Sequence, residues 1–286
     1  MSEPKIKIEG EKYKAKDRVR ADRTDELYKD IPEGGTLMTI KDLRVVYRTD
    51  DSETVAVENF SLDVKKGELI SIVGPSGCGK TTILRCIAGL LQPTEGKVMI
   101  GDKECTSPGS DRGMVFQDFA LFPWRSVVQN VEFGMEVAGV PKEERRERAL
   151  RYVKAVGLEK FANSRIHELS GGMKQRVGIA RALVMHPAVV LMDEPFGALD
   201  AQTRNIMQET LNKIITHSAR TVLFVTHSVD EALYLSDRVV VLSKRPSTIY
   251  KIVDVPWPRP RDRAAPEFTE LRKKILSYLE EQNVME

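Results

Sequence analysis

LISIVGPSGCGKTTILRCIAGLL, residues 69 to 91, runs from one apolar stretch through a glycine-rich turn into a second of different period. LISIV is short and continuously apolar but for one serine, as expected of a strand covered on both faces in a parallel sheet. TTILRCIAGLL reads as a helix. Between them GPSGCGKTT fits the phosphate-loop spacing G-x-x-x-x-G-K-[ST]. Backbone N–H groups of such a loop and of the helix N-terminus point into one concavity, which favours an anion there. Gly74, Pro75, Ser76, Gly77, Cys78, Gly79, Lys80, Thr81 and Thr82 are therefore the candidate cradle of a nucleotide's phosphates. Lys80 is placed for the β and γ phosphates, and the Thr81 hydroxyl for Mg²⁺. Cys78 fills a variable position of the loop. A glycine turn that binds nothing is the alternative, and the strand and helix flanks weigh against it.

Two further runs share the pattern of LISIV: VVLM ends at Asp193, and TVLFVT ends at His227. In open α/β sheets ligands bind beyond the carboxyl ends of the strands, so these ends are expected to converge on one site. Neighbouring strand residues point to opposite sides, which separates the duties of Asp193 and Glu194. Asp193 suits the Mg²⁺ shell, and Glu194 suits a general base facing the attacking water. GMVFQ places Gln117 at another strand end, within reach of a γ phosphate, its metal or its water. His227 is placed likewise, although a lone His is more often structural.

The chain has 286 residues and a formal net charge of +2, enough length for a large core and too little charge for a protein devoted to nucleic-acid backbones. Three cysteines, Cys78, Cys86 and Cys105, have no metal-binding spacing and suggest no disulfide framework. That cysteine pattern fits a reducing cytosol; no apolar run approaches the ~20 residues of a membrane-spanning helix, and MSEPKIKIEGEKYKAK contains no secretory apolar region.

Three regions follow from composition. Residues 1–35, with nine acidic and nine basic side chains, read as a charged mobile arm. From 36 to 245 a core domain opens with strands, TLMTIKDLRVVY alternating at period two, and a turn at LysLysGly. Within it a helical subdomain is expected over about 118–186. There PKEERRERALRYVKAVG opens at Pro141, stops at Gly157 and carries Ala149, Leu150, Val153 and Val156 on one face. Residues 246–286 comprise a Pro-rich extended stretch and an amphipathic helix with Phe268, Leu271, Ile275 and Leu279 at helical spacing.

The order GPSGCGKTT, Gln117, LSGGMKQ (169–175), VVLMDE, ALD and His227 resembles the nucleotide-binding subunit of ABC transporters over roughly residues 36–245. The resemblance implies an α/β P-loop NTPase core of ABC type: a mostly parallel sheet, an antiparallel β portion on the N-terminal side and an inserted helical subdomain. It also implies two such domains head to tail, each ATP lying between one phosphate loop and the other chain's Ser170, Gly171, Gly172 and Gln175. The two glycines would then bring bare N–H groups and the positive helix end to a γ phosphate. Ser170 also suits an N-cap, as does Asp200, the match to the loop that crosses between subunits. Ser228 and Glu231 look like a capping box.

Tyr47 occupies the place of an aromatic that stacks on adenine in similar proteins; it also shares a strand face with Leu43 and Val45 and could be core. Phe119, Phe122 and Trp124 in DFALFPW either line a groove for a permease helix or pack on the helical subdomain. The implied reaction is ATP hydrolysis. The implied partners are a second ATPase subunit, transmembrane permease subunits and, indirectly, an extracytoplasmic substrate-binding protein, with the chain on the cytoplasmic face of the membrane and no nucleic acid. The FPWRSVVQNV segment and the RPSTIYKIVDVPWPRPRD tail resemble the importers of nitrate, sulfonate, taurine or bicarbonate. An exporter or lipid-trafficking ATPase is the alternative, then a soluble ABC ATPase of DNA repair or translation, and last a non-hydrolysing nucleotide-gated module.

Overall fold

The computed structural model describes residues 6–8, 11–13, 28–50, 52–197, 199–218 and 220–284. Most of the charged arm lies outside the described residues; within it β1 (Ile6–Ile8) pairs antiparallel with β2 (Glu11–Tyr13). Residues 28–35, grouped with that arm by composition, are seated on the core. Tyr28 is buried, its hydroxyl donates to Asp111 Oδ2 at 3.3 Å, and Lys66 Nζ donates to the carbonyls of Tyr28 and Ile31 at 3.0 and 2.7 Å. A tyrosine ring and a lysine cap anchor these eight residues, a contact that composition cannot show.

Two sheets carry the domain. The antiparallel one, in the order β4-β3-β6-β7, contains β3 (Thr36–Arg48), β4 (Glu53–Lys65), β6 (Glu95–Ile100) and β7 (Lys103–Glu104). Alternation along β3 is broken between Ile40 and Leu43, where its pairing with β4 shifts register. The larger sheet, in the order β12-β11-β5-β10-β9-β8, contains β5 (Leu69–Val73), β8 (Arg112–Val115), β9 (Val189–Asp193), β10 (Thr221–Val225), β11 (Arg238–Leu242) and β12 (Ile249–Asp254). Its pairs are parallel except β11 with β12. Residues 249–254 thus extend the main sheet past position 245, through a turn short enough for an antiparallel edge.

The continuous apolar runs are covered on both faces. Ile70, Ile72, Leu223 and Val225 face the core shared with the antiparallel sheet and with Ile83, Leu84 and Ile87 of α1 (Lys80–Ile87). Leu69, Val222 and Phe224 face the opposite side, with Met207, Leu211 and Ile215 of α5 (Ala201–Ser218). Each fully buried side chain of this size contributes about 1.5–3 kcal/mol.

Between β8 and β9 the chain forms α2 (Val127–Val137), α3 (Lys142–Ala155) and α4 (Gly171–Leu183) around a core of their own. A capping box at Ser126 and Gln129 starts α2. On α3, Ala149, Val153 and Val156 are buried but Leu150 is exposed, because the helix turns only a narrow face inward. Helix α4 joins the two bodies: Val177, Ala180 and Val184 pack in the helical core, and Ile179, Ala182 and Leu183 against the sheet. Helix α7 (Pro266–Val284) buries Phe268 and Ile275 and half-buries Leu271 and Leu279 beside α6 (Val229–Leu235) and β11. Among the described residues no helix is long and apolar enough to cross a membrane.

Candidate nucleotide site

Parallel register brings the strand ends together: Val225 lies opposite Ile72 on one side and Asp193 on the other, and Val115 lies opposite Met192. The polar residues that follow β5, β10, β9 and β8 therefore share one edge of the sheet, as the sequence predicts.

The loop after β5 ends at Gly79, the N-cap of α1 at φ 116°, a conformation that excludes ordinary side chains. Lys80 is buried, and its ammonium turns back to donate to the Gly74 and Pro75 carbonyls at 2.9 and 2.8 Å. A fixed positive charge thus lies over the loop. Thr81 Oγ1 donates to Asp193 Oδ1 at 3.1 Å, linking the first turn of α1, which follows β5, to the end of β9 across the intervening β10. Burial raises the pKa of the Asp193 carboxyl, with Glu194 adding to the rise and Thr81, Arg85 and Lys80 opposing it. Two hard oxygens, one on a desolvated carboxylate, suit a divalent cation. Thr82 Oγ1 instead shares a hydrogen bond with Tyr47 OH at 3.1 Å. Tyr47 is 41% exposed, beyond the buried Leu43 and Val45, so it is not core. Cys78 is buried beneath the loop, and burial raises its thiol pKa, which leaves its backbone as the part that faces a ligand.

Glu194 departs from the strand alternation invoked above. Strand β9 ends at Asp193, and Glu194 takes φ 44°, with its N–H donating to Val225 O at 2.9 Å. Left-handed backbone, costly for a residue with a Cβ, sets the direction of this side chain. His227 Nδ1 lies 3.2 Å from Glu194 Oε2, and Gln117 Nε2 donates to the same oxygen at 3.5 Å. An ionised carboxylate only accepts, so Nδ1 is the donor of this contact. Gln117 meets Glu194 and not the Thr81–Asp193 pair.

At the start of α4, Ser170 is the N-cap, accepting from Met173 N at 3.3 Å, and Ser170 and Gly171 are exposed. Among the described residues no hydrogen bond joins this segment to the phosphate loop. Gly172 has a reason inside the chain: a Cβ there would stand 2.5 Å from Thr203 Cγ2 of α5. Gln175 corrects the sequence reading. It is 1% exposed, its Nε2 unpaired among the described residues, because the helix carries it inward one turn from the exposed tip.

Asp200 caps α5 by accepting from Thr203 N at 3.0 Å, and this bond lowers its pKa. Ser228 caps α6, but Glu231 closes no capping box. Its carboxylate accepts from Thr226 Oγ1 at 2.6 Å and Gln208 Nε2 at 3.2 Å, while Ser228 N donates to Thr226 Oγ1. The aromatic loop divides: Phe122 packs on Phe133 and Trp124, at 4.5 and 5.6 Å between centroids, while Trp124 is 69% exposed. Arg181 of α4, given no role by the sequence reading, donates to the Phe119 and Ala120 carbonyls at 3.1 and 2.6 Å. Nothing in its spacing marks it, because its partners are main-chain atoms 62 and 61 residues away.

The sequence pattern described as ABC transporter matches residues 57–197, the span from β4 past Glu194. An uncharacterized ABC transporter ATP-binding protein of Methanocaldococcus jannaschii is 54% identical over 86% of this chain and 92% of its own length. The chain belongs to the ABC transporter family. A nitrate import ATP-binding protein of Synechocystis sp. is 45% identical over 85% of the chain and 94% of its own length. A taurine import ATP-binding protein of Rhizobium johnstonii is 44% identical over 78% and 88% respectively. Among solved structures, a dimeric ATP-binding cassette in a post-hydrolysis state with ADP and Pi has a TM-score of 0.68 at 34% identity, covering 77% of this chain and all of that one. The ABC ATPase fold, with its P-loop core, is thereby shared.

Proposed function

We propose that the chain is the ATP-hydrolysing, energy-coupling subunit of a membrane importer for a small anion of the nitrate, sulfonate, taurine or bicarbonate class. The observation that carries the reading is the meeting of Gln117 and His227 on one oxygen of Glu194, beside a phosphate loop whose Thr81 is bonded to Asp193. The relatives named for nitrate and taurine import supply the direction and the class of cargo.

ATP and water give ADP and phosphate. The loop amides and Lys80 hold the phosphates; Thr81 and Asp193 would hold Mg²⁺, which supplies charge neutralisation on the phosphates. Glu194 accepts a proton from the attacking water, Gln117 orients that water, and His227, held through Nδ1, flanks Glu194 beside the γ phosphate. Tyr47, exposed at the rim beside α1, stacks on adenine. The exposed Ser170–Gly171 helix end closes over the ATP of a second copy, and Asp200 lies at that interface. Trp124, in a groove shared with Arg125, Glu132, Glu136, Lys142 and Arg146, receives a permease helix at the cytoplasmic membrane face. An extracytoplasmic binding protein delivers the anion.

Phosphate release by the purified chain tests the chemistry. Glu194→Gln is expected to lower turnover by at least about 10²-fold and to leave an ATP-bound dimer in light scattering; full activity in that variant removes Glu194 from its role. Co-purification with a permease and anion uptake in proteoliposomes tests the coupling. Transport and complex formation unchanged by Trp124→Ala reject the docking groove.

A further inference from the structure

The turn after β11 lies along the outside of the phosphate loop. Ser247 is fully buried; its N–H and Oγ donate to Ala56 O at 3.1 and 3.2 Å, and its carbonyl accepts from Glu58 N at 3.0 Å. At the other end of the turn Ser243 Oγ accepts from Thr248 N at 2.9 Å. The loop rests against this support: a Cβ on Gly79 would lie 3.1 Å from Ser247 Oγ. From the pinned turn Arg245 extends back, and its Nη2 donates to the Gly77 carbonyl at 2.6 Å.

Peptide planarity gives this contact a consequence on the other side of the loop. The Gly77 carbonyl and the Cys78 N–H belong to one trans peptide unit and point in opposite directions. Cys78 N–H is directed at the Pro75 carbonyl at 3.4 Å, the same carbonyl that accepts from Lys80 Nζ at 2.8 Å. It therefore lies on the ammonium side of the loop, and the guanidinium lies behind it. Gly77, at φ 72°, has no side chain to resist rotation of this unit. A cation on the carbonyl holds the unit in place and, by polarising it, strengthens the N–H as a donor.

We infer that Arg245 is a positioning residue for the nucleotide, locking the Gly77–Cys78 peptide with its N–H toward the phosphate next to the nucleoside monophosphate. This rests on the reading of residues 74–82 as the ATP cradle. The full-length chain is titrated calorimetrically with MgATP, MgADP and AMP. Arg245→Ala is expected to weaken ATP and ADP alike by about threefold to tenfold, and AMP, which lacks the second phosphate, by less than about twofold. Turnover at saturating ATP stays within about twofold of the parent, so the loss appears in KM and not in kcat. Arg245→Lys recovers part of the affinity, and Lys244→Ala, the exposed neighbouring cation, changes nothing. Melting of the nucleotide-free Arg245→Ala protein stays within about 2 °C of the parent, which separates positioning from mere stability. ADP affinity unchanged in Arg245→Ala, or AMP weakened as much as ADP, overturns the inference. A parent chain that binds neither ATP nor ADP overturns the cradle reading itself.

Discussion

Gly172→Ala tests whether that glycine serves the chain's own packing. The added Cβ would stand 2.5 Å from Thr203 Cγ2, about 1 Å inside an ordinary carbon contact. Overpacking of this kind costs about 1–3 kcal/mol, or roughly 2 to 5 °C in melting temperature for a chain of this size. Thr203→Ala removes the methyl. The nearest remaining atoms are then Leu199 Cδ2 at 3.7 Å and the Cβ of position 203 at 3.9 Å, both ordinary contacts. Alanine is the better helix former by about 0.5–1 kcal/mol, so in that background Gly172→Ala should raise the melting temperature. The sign should reverse between backgrounds, with a coupling energy of about 2 kcal/mol. The assay is thermal unfolding of all four proteins without nucleotide. An equal loss in both backgrounds would refute the steric account and point back to a partner as the reason for the glycine.

Three further outcomes follow from the site. Asp193→Asn should abolish turnover and yet change the pH dependence of stability in the absence of Mg²⁺. A carboxyl whose pKa is raised on folding binds more protons folded than unfolded, so it costs stability as pH rises from its ordinary value of 3.8 through the raised one. The variant should therefore gain on the parent as pH rises across that window; parallel unfolding profiles would contradict the burial argument. Glu194→Gly should relieve about 1 kcal/mol of left-handed strain and melt higher while hydrolysing nothing; a lower melting temperature would mean that the Glu194 contacts outweigh the strain. Cys86, its pKa pushed up to about 12 by burial, and the buried Cys78 and Cys105 should resist a disulfide reagent until the chain unfolds. Rapid labelling of the native chain would show that the cores open locally.

The three central strands of the main sheet were legible because they are covered on both faces, so LISIV, VVLM and TVLFV carry the signal without help from neighbours. The phosphate loop was legible because its chemistry is local in sequence. Gln175 was misread, since its distance from Ser170 along the chain says nothing about which side of α4 enters the core. Glu231 was misread because the capping spacing could not reveal the competing Thr226 and Gln208, which the fold brings to its carboxylate. Strand β12 and the docked Tyr28 escaped notice because an edge strand and a single anchoring ring lack a periodic pattern.

By itself the sequence marked the strands that end at Gly74, Asp193 and His227, and pointed to the phosphate loop and to Glu194 as candidate base, readings that depend on residues within a few positions of one another. Tertiary structure alone decided that Gln117 and His227 meet on Glu194, that Glu194 turns out of its strand, that Thr203 leaves no room at Gly172, and that Arg245 stands behind the phosphate loop. Each of these is a contact between distant segments. Its geometry is set by sheet register and helix packing, which no short stretch of the chain contains.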